Sequence, residues 1–139
     1  MKQNRPLANT ANNETNDNSA TAIEANGVVY DVDEIIGRLK QDRDTQADDL
    51  ACAGNEFGRA WAAETASFEE LSALEALRYE KPSFHDLVKR FESIDVEDVP
   101  PEEADALLVS ETWARAFGSG FISGALHVWS IVKPKLEAW

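Results

Sequence analysis

Ser119, Ser123 and His127 fall at successive spacings of four, so on a helix they share one face. A hydroxyl one turn from an imidazole is the first half of a nucleophile and base pair. The second half is missing. Neither Gly118-Ser119-Gly120 nor Ser123-Gly124 fits the Gly-x-Ser-x-Gly elbow, and both lie within a helical pattern. A single helix cannot wrap hydrogen-bond donors around a developing oxyanion. The set therefore reads as a polar helix face, with His127 a partly exposed side chain or a pH-sensitive group at an interface. No residue is assigned a catalytic role.

Metal chemistry fares no better. His85 and His127 are the two histidines, and neither stands in a His-x-x-His or Glu-x-x-His pairing. The acids Asp95, Glu97, Asp98, Glu102 and Glu103 are hard-cation ligands by type. Their spacing departs from the Asp-x-Asp-x-Asp-Gly loop, and Pro100 and Pro101 interrupt it. They read as a solvated linker and helix start. No Gly-rich phosphate loop precedes a helix. No metal and no cofactor is expected.

The global charge narrows the partners. A net charge of −13 excludes the basic footprint that direct nucleic-acid binding requires, and disfavours anionic membrane surfaces. Between Phe91 and Ala114 there are eight acids and no Lys or Arg. Such a window, with Glu97, Asp98, Glu102, Glu103 and Asp105 as its candidate face, could imitate DNA phosphates and block a basic nucleic-acid-binding protein. The lone Cys52 forms no intrachain disulfide; between Ala51 and Ala53 it reads as a small hydrophobe. Lys2 and Arg5 are not followed by an apolar segment, so no signal peptide is expected and the cytoplasm is the expected compartment.

The elements that must carry these residues centre on Trp113–Val132. From Ala116 to Val132 the chain has 17 uncharged residues. At about 1.5 Å per residue they reach about 25 Å, short of the roughly 30 Å hydrocarbon core. The polar face Arg115, Ser119, Ser123, His127 and Ser130 also breaks the all-round apolarity of a span. A membrane role is the least favoured reading, and a buried helix the favoured one. Its other stripes are aromatic (Trp113, Phe117, Phe121, then Val128 and Val132) and small (Ala116, Gly120, Gly124).

A second small-residue ridge, Gly54, Gly58, Ala62 and Ala66, lies beside Phe57 and Trp61. Each interior glycine costs a helix about 0.5–1 kcal/mol, and close packing is the usual compensation. The ridges are expected to face each other within one chain, with one ridge facing a second molecule as the competing reading. The order Phe57 then Trp61, against Trp113 then Phe117, suits an antiparallel pair.

In chain order, residues 1–26 are rich in Asn, Thr, Ser and Ala without hydrophobic period, and read as a disordered tail. Gly27–Val32 reads as a short extended entry, and Asp31 with Glu34 resembles a capping box. A helix follows through Ile35, Ile36 and Leu39, running on to Ala66 with at most a local break in Lys40–Asp49. Ser67 and Glu70 open a helix that stops before Pro82. Ser83 caps a short helix with Phe84, Leu87, Val88 and Phe91. Pro101 opens the last helix, which should run to about Lys133 and end at Pro134.

The expected fold is all-α, a small bundle of four to five helices over residues 27–139 behind the tail, with no convincing strand. The leading functional expectation is a non-enzymatic protein–protein interaction module, self-associating as a homodimer or part of a larger assembly. Trp61, Trp113, Phe117, Phe121 and Trp129 are its candidate interface residues. The acidic inhibitor is the alternative, and an unseen enzymatic chemistry is the third class.

Overall fold

A computed structural model describes residues 20–139, and it shows an all-α protein with a minor two-stranded sheet. Strands β1 (Ala22–Ala25) and β2 (Val28–Asp31) precede five helices: α1 (Val32–Glu64), α2 (Phe68–Leu77), α3 (Phe84–Arg90), α4 (Pro101–Val109) and α5 (Glu111–Glu137). A single 3₁₀ turn covers Val96–Asp98. The tail expected over residues 1–26 lies mostly outside the described residues. The chain divides after Asp42, inside α1, into two units.

The first unit corrects the expectation of no strand and of a tail reaching residue 26. β1 and β2 pair antiparallel, Ile23 opposite Tyr30 and Ala25 opposite Val28. The connection is Asn26-Gly27, with φ of 55° and 79°. Positive φ at both central residues is what a two-residue type I′ hairpin turn requires, and Asn-Gly is its preferred sequence. The hairpin leads straight into α1, where the Asp31 carboxylate accepts the backbone N–H of Asp33 at 3.0 Å.

The second unit is the bundle. Helix α2 starts at a reciprocal capping box between Ser67 and Glu70, and α3 at another between Ser83 and Asp86. Pro101 occupies the first turn of α4. Helices α2, α3 and α4 all pack on α5. The core gathers Leu50, Trp61, Leu74, Phe84, Leu87, Phe117 and Phe121, all buried. Phe84 meets Phe117 edge-on at 4.8 Å between ring centroids, and Trp61 lies 5.1 Å from Phe121. Such tilted and T-shaped pairs add to area burial through the ring quadrupoles.

Two boundaries differ from expectation. The helix expected from Pro101 through Lys133 is two, broken at Ser110, whose backbone is extended (φ −149°, ψ 134°) and whose hydroxyl accepts from the N–H of Trp113. Helix α5 also continues past Pro134 to Glu137. A proline removes one N–H from the ladder and crowds the preceding turn. At this exposed last turn the Ser130 carbonyl can turn to water instead, and the N–H of Ala138 still reaches the Pro134 carbonyl at 3.2 Å.

Candidate functional site

The two glycine ridges meet. A Cβ built on Gly54 would fall on the carbonyl oxygen of Phe117, and one on Gly58 on that of Phe121. Reciprocally, Gly120 faces the carbonyl of Ala51 and Gly124 that of Asn55. Each glycine thus presents a Cα–H to a carbonyl oxygen of the facing helix, a weak hydrogen-bonding arrangement typical of close helix crossings. The numbers on both helices rise together, so α1 and α5 run parallel where they cross. The antiparallel expectation is overturned. The whole of α2, α3 and α4 intervenes, enough chain to return to the starting end, and the order of a Phe–Trp pair does not encode direction. Ala62 and Ala116, the outer members of the two ridges, are half-buried.

A different glycine receives the third element. Gly118 stands outside both ridges, yet a Cβ there would lie 2.8 Å from the Pro82 carbonyl oxygen and the Phe84 nitrogen. The loop entering α3 therefore rests directly on the α5 backbone. The buried face of α5 continues through Ile122, Ala125 and Trp129, and not along Val128 and Val132.

The candidate interface residues are mostly core. Trp61, Phe117, Phe121 and Trp129 are buried and Trp113 is half-buried, so they offer little surface to a partner. The indoles are also committed. Trp61 Nε1 donates to Ser93 Oγ at 3.0 Å, and that hydroxyl donates to Glu70 Oε1 at 2.7 Å. Trp129 Nε1 and Lys133 Nζ both donate to Glu75 Oε1, and Trp113 Nε1 donates to the Arg43 carbonyl. Partial burial raises the Glu70 carboxyl, but hydrogen bonds from Ser93 and Ser67 outweigh it and hold the group below its ordinary value. At Glu75 the Trp129 and Lys133 hydrogen bonds, opposed by some burial, lower the carboxyl as well.

The polar face of α5 is open. Arg115, Ser119, Ser123, His127 and Ser130 are exposed. His127 contributes its carbonyl, not its ring, to the Ser130 hydroxyl at 2.7 Å. Beside this face α1 and α5 enclose a shallow groove of about 510 Å³, lined by Cys52, Glu56 and Arg59 opposite Ser119 and Ser123. Cys52, read as a small hydrophobe, is exposed there. His85 Nε2 lies 3.1 Å from the Leu107 carbonyl, tying α3 to α4. Among the described residues no group of three metal-ligating side chains converges, and no helix is long and apolar enough to cross a membrane.

The acidic face sits on the 3₁₀ turn and the start of α4. Glu97, Asp98, Glu102 and Asp105 are exposed and Glu103 is half-buried; among the described residues none has an ion-pair partner. Asp95 caps the turn by accepting the N–H of Glu97 at 2.9 Å.

The first unit supplies the surface that sequence reasoning missed. From Ala20 to Asp42 no residue is buried, although the stretch holds Ile23, Val28, Val29, Tyr30, Val32, Ile35, Ile36 and Leu39. The apolar spacing of Ile35, Ile36 and Leu39 was legible; that none of the three would be buried was not. No family model, curated protein or solved structure matches the chain.

Proposed function

We propose that the protein is a non-enzymatic interaction module whose recognition element is the hairpin and first helical turns of Ala22–Asp42, presented by a self-sufficient bundle. One observation carries this reading: the bundle buries its aromatic core and glycine ridges, whereas no residue of Ala20–Asp42 is buried and Ile23, Val28, Val29, Tyr30, Ile36 and Leu39 are exposed. A lone two-stranded hairpin is marginal in water, and ordered apolar surface of this kind marks interaction sites. The aromatic side chains of the core hold the bundle together and leave binding to the first unit.

The test replaces Ile36 and Leu39 together by Asp in the full chain. The bundle should melt unchanged, while every specific association of the protein, with its own copies or with other proteins, is lost. Identical assembly state and identical captured partners for wild type and variant would overturn the reading.

A second reading, an acidic inhibitor of a basic nucleic-acid-binding protein, draws on the four exposed acids Glu97, Asp98, Glu102 and Asp105, which join no ion pair among the described residues. It predicts salt-sensitive capture of such a protein, abolished when those four are neutralised together. Capture indifferent to salt and to those changes dismisses it.

A further inference from the structure

The turn between β1 and β2 brings together the two groups of a spontaneous covalent reaction. Of the eight asparagines in the chain, Asn26 is the one followed by glycine. Asparagine is thermolabile because the next backbone nitrogen can attack its side-chain amide carbon. A side chain on the following residue hinders that attack, and Gly27 has none. Asn26 and Gly27 are both exposed, and nothing lies within 4 Å of where a Gly27 Cβ would be. The hydrogen bond closing such a turn runs from the Val28 N–H to the Ala25 carbonyl, so the Gly27 N–H lies outside it. Asn55, the other asparagine among the described residues, is the contrast. It is half-buried in the middle of α1, where the N–H of Glu56 belongs to the helix ladder.

The closed turn holds the reaction back. With both central residues left-handed, at φ 55° and 79°, type I′ geometry sets the Gly27 nitrogen opposite the Asn26 Cβ and away from the side-chain carbon. Attack needs a rotation about the Asn26 Cα–C bond, which parts the Ala25–Val28 pair. The hairpin resists this weakly. No residue from Ala20 to Asp42 is buried, and a two-stranded hairpin by itself is marginally stable in water. Segments with so few buried contacts open at small free-energy cost.

We infer that Asn26 is a site of spontaneous deamidation through a cyclic imide with Gly27, and that its isoaspartate product opens the β1–β2 hairpin for good. The Gly27 nitrogen bonds to Asn26 Cγ, the bond from Cγ to the side-chain nitrogen breaks, and ammonia leaves with the Gly27 amide proton. Water then cleaves one of the two imide C–N bonds. Cleavage at Cγ leaves an ordinary aspartate, and Asp-Gly suits the same turn. Cleavage at the main-chain carbonyl carbon routes the backbone through Cβ and Cγ and lengthens it by a methylene. The two-residue turn then no longer spans Ala25 and Val28, and the register that it fixes is lost. The inference stands on the turn alone, independent of the reading of Ala22–Asp42 as the recognition element. Where that reading also holds, ageing of the protein removes its binding.

The full chain tests it, held for several weeks at pH 6 and at pH 8. Peptide mapping by mass spectrometry, with enzymatic methylation of isoaspartate, locates the product. NMR contacts between Ile23 and Tyr30 report the hairpin. Conversion is expected at Asn26 and not at Asn55, several-fold faster at pH 8 because the deprotonated amide nitrogen is the attacking form. The Ile23–Tyr30 contacts should vanish in proportion to isoaspartate. Asn26→Gly, whose Gly-Gly turn also suits the hairpin, should keep them throughout. An Asn26 that is still an amide after weeks at pH 8 overturns the inference, as does equal conversion at Asn55. Isoaspartate at position 26 with the cross-strand contacts intact overturns its consequence. If the hairpin opens while every association of the aged protein persists, the deamidation site stands and the recognition reading fails.

Discussion

Gly58 on α1 lies so close to Phe121 on α5 that its missing Cβ would overlap the Phe121 carbonyl oxygen. Even the carbonyl carbon would be 2.8 Å away. The neighbour is backbone in the middle of a buried helix, so nothing flexible can yield. Gly58→Ala should therefore push the helices apart and loosen the Trp61–Phe121 contact beside it. The expected loss is about 1–3 kcal/mol, from an overpacked core, and Gly58→Leu should not fold. Gly120→Ala and Gly54→Ala should behave alike, since each meets a carbonyl in the same way. Urea unfolding of the three variants checks this, and midpoints equal to wild type would remove the crossing as a stability determinant.

Gly37, also on α1, provides the contrast. Nothing lies within 4 Å of its would-be Cβ, and its backbone is ordinary helix. The entropic penalty of glycine is uncompensated there. Gly37→Ala should raise helix stability by about 0.5–1 kcal/mol, seen as reduced fraying of Val32–Asp42 in amide hydrogen exchange. A drop in protection at this position would reveal a close neighbour at Gly37 in solution.

These two glycines show what sequence could and could not convey. Interior helical glycines at spacings of four are costly unless something packs on them, so the ridges and their mutual contact were legible. Their direction was not, because small-residue spacing is the same read from either end. The hairpin was signalled by Asn26-Gly27 between β-branched residues, but the polar composition upstream masked it. The break at Ser110 had a signal too, a good N-cap residue three positions before Trp113, hidden by the apolar run Ala106–Val109 leading into it. Exposure of Ile36 and Leu39 had no local signal at all. A helical apolar face looks the same whether or not the fold supplies a partner for it.

Ser110 holds the angle between α4 and α5 by turning its backbone to the extended region and capping α5. Replacing it by Ala removes the acceptor for the Trp113 N–H, 3.4 Å away. The expected cost is about 0.5–2 kcal/mol, while Ser110→Asp should be close to neutral. Thermal melting of both variants tests the cap. Equal melting of Ser110→Ala and wild type would mean that tertiary packing alone sets the break.

Pro134 interrupts the ladder of α5 in its last turn, where Lys133 still anchors to Glu75 at 3.3 Å. Pro134→Ala restores an N–H for the Ser130 carbonyl and relieves the ring's crowding. A gain of about 1 kcal/mol is expected, below the full interior penalty because the turn is exposed and terminal. Helical ellipticity should rise with it. If stability falls instead, the proline ring itself packs on a neighbour in solution.

The last prediction concerns acid. Glu70 accepts hydrogen bonds from the hydroxyl and backbone of Ser93 and from the backbone of Ser67, and its carboxyl is held below the ordinary value. A carboxyl lowered in the folded state contributes stability in full above its unfolded pKa, about 4.3, and loses it as pH falls through the lower folded value. The bundle should therefore melt at progressively lower temperature below about pH 4.3, in part because protonation of Glu70 weakens the hydrogen bond it accepts from Ser93 Oγ, itself the acceptor of the Trp61 N–H. Glu70→Gln should melt lower than wild type at pH 7 and show a smaller drop between pH 7 and pH 3. Ser93→Ala should do the same by a different route, weakening the hold on Glu70 and leaving the Trp61 N–H unpaired, at a cost of about 1–3 kcal/mol. Melting curves of Glu70→Gln that run parallel to wild type across this range would show that Glu70 does not titrate with folding, and would place the acid sensitivity elsewhere, first at Glu75.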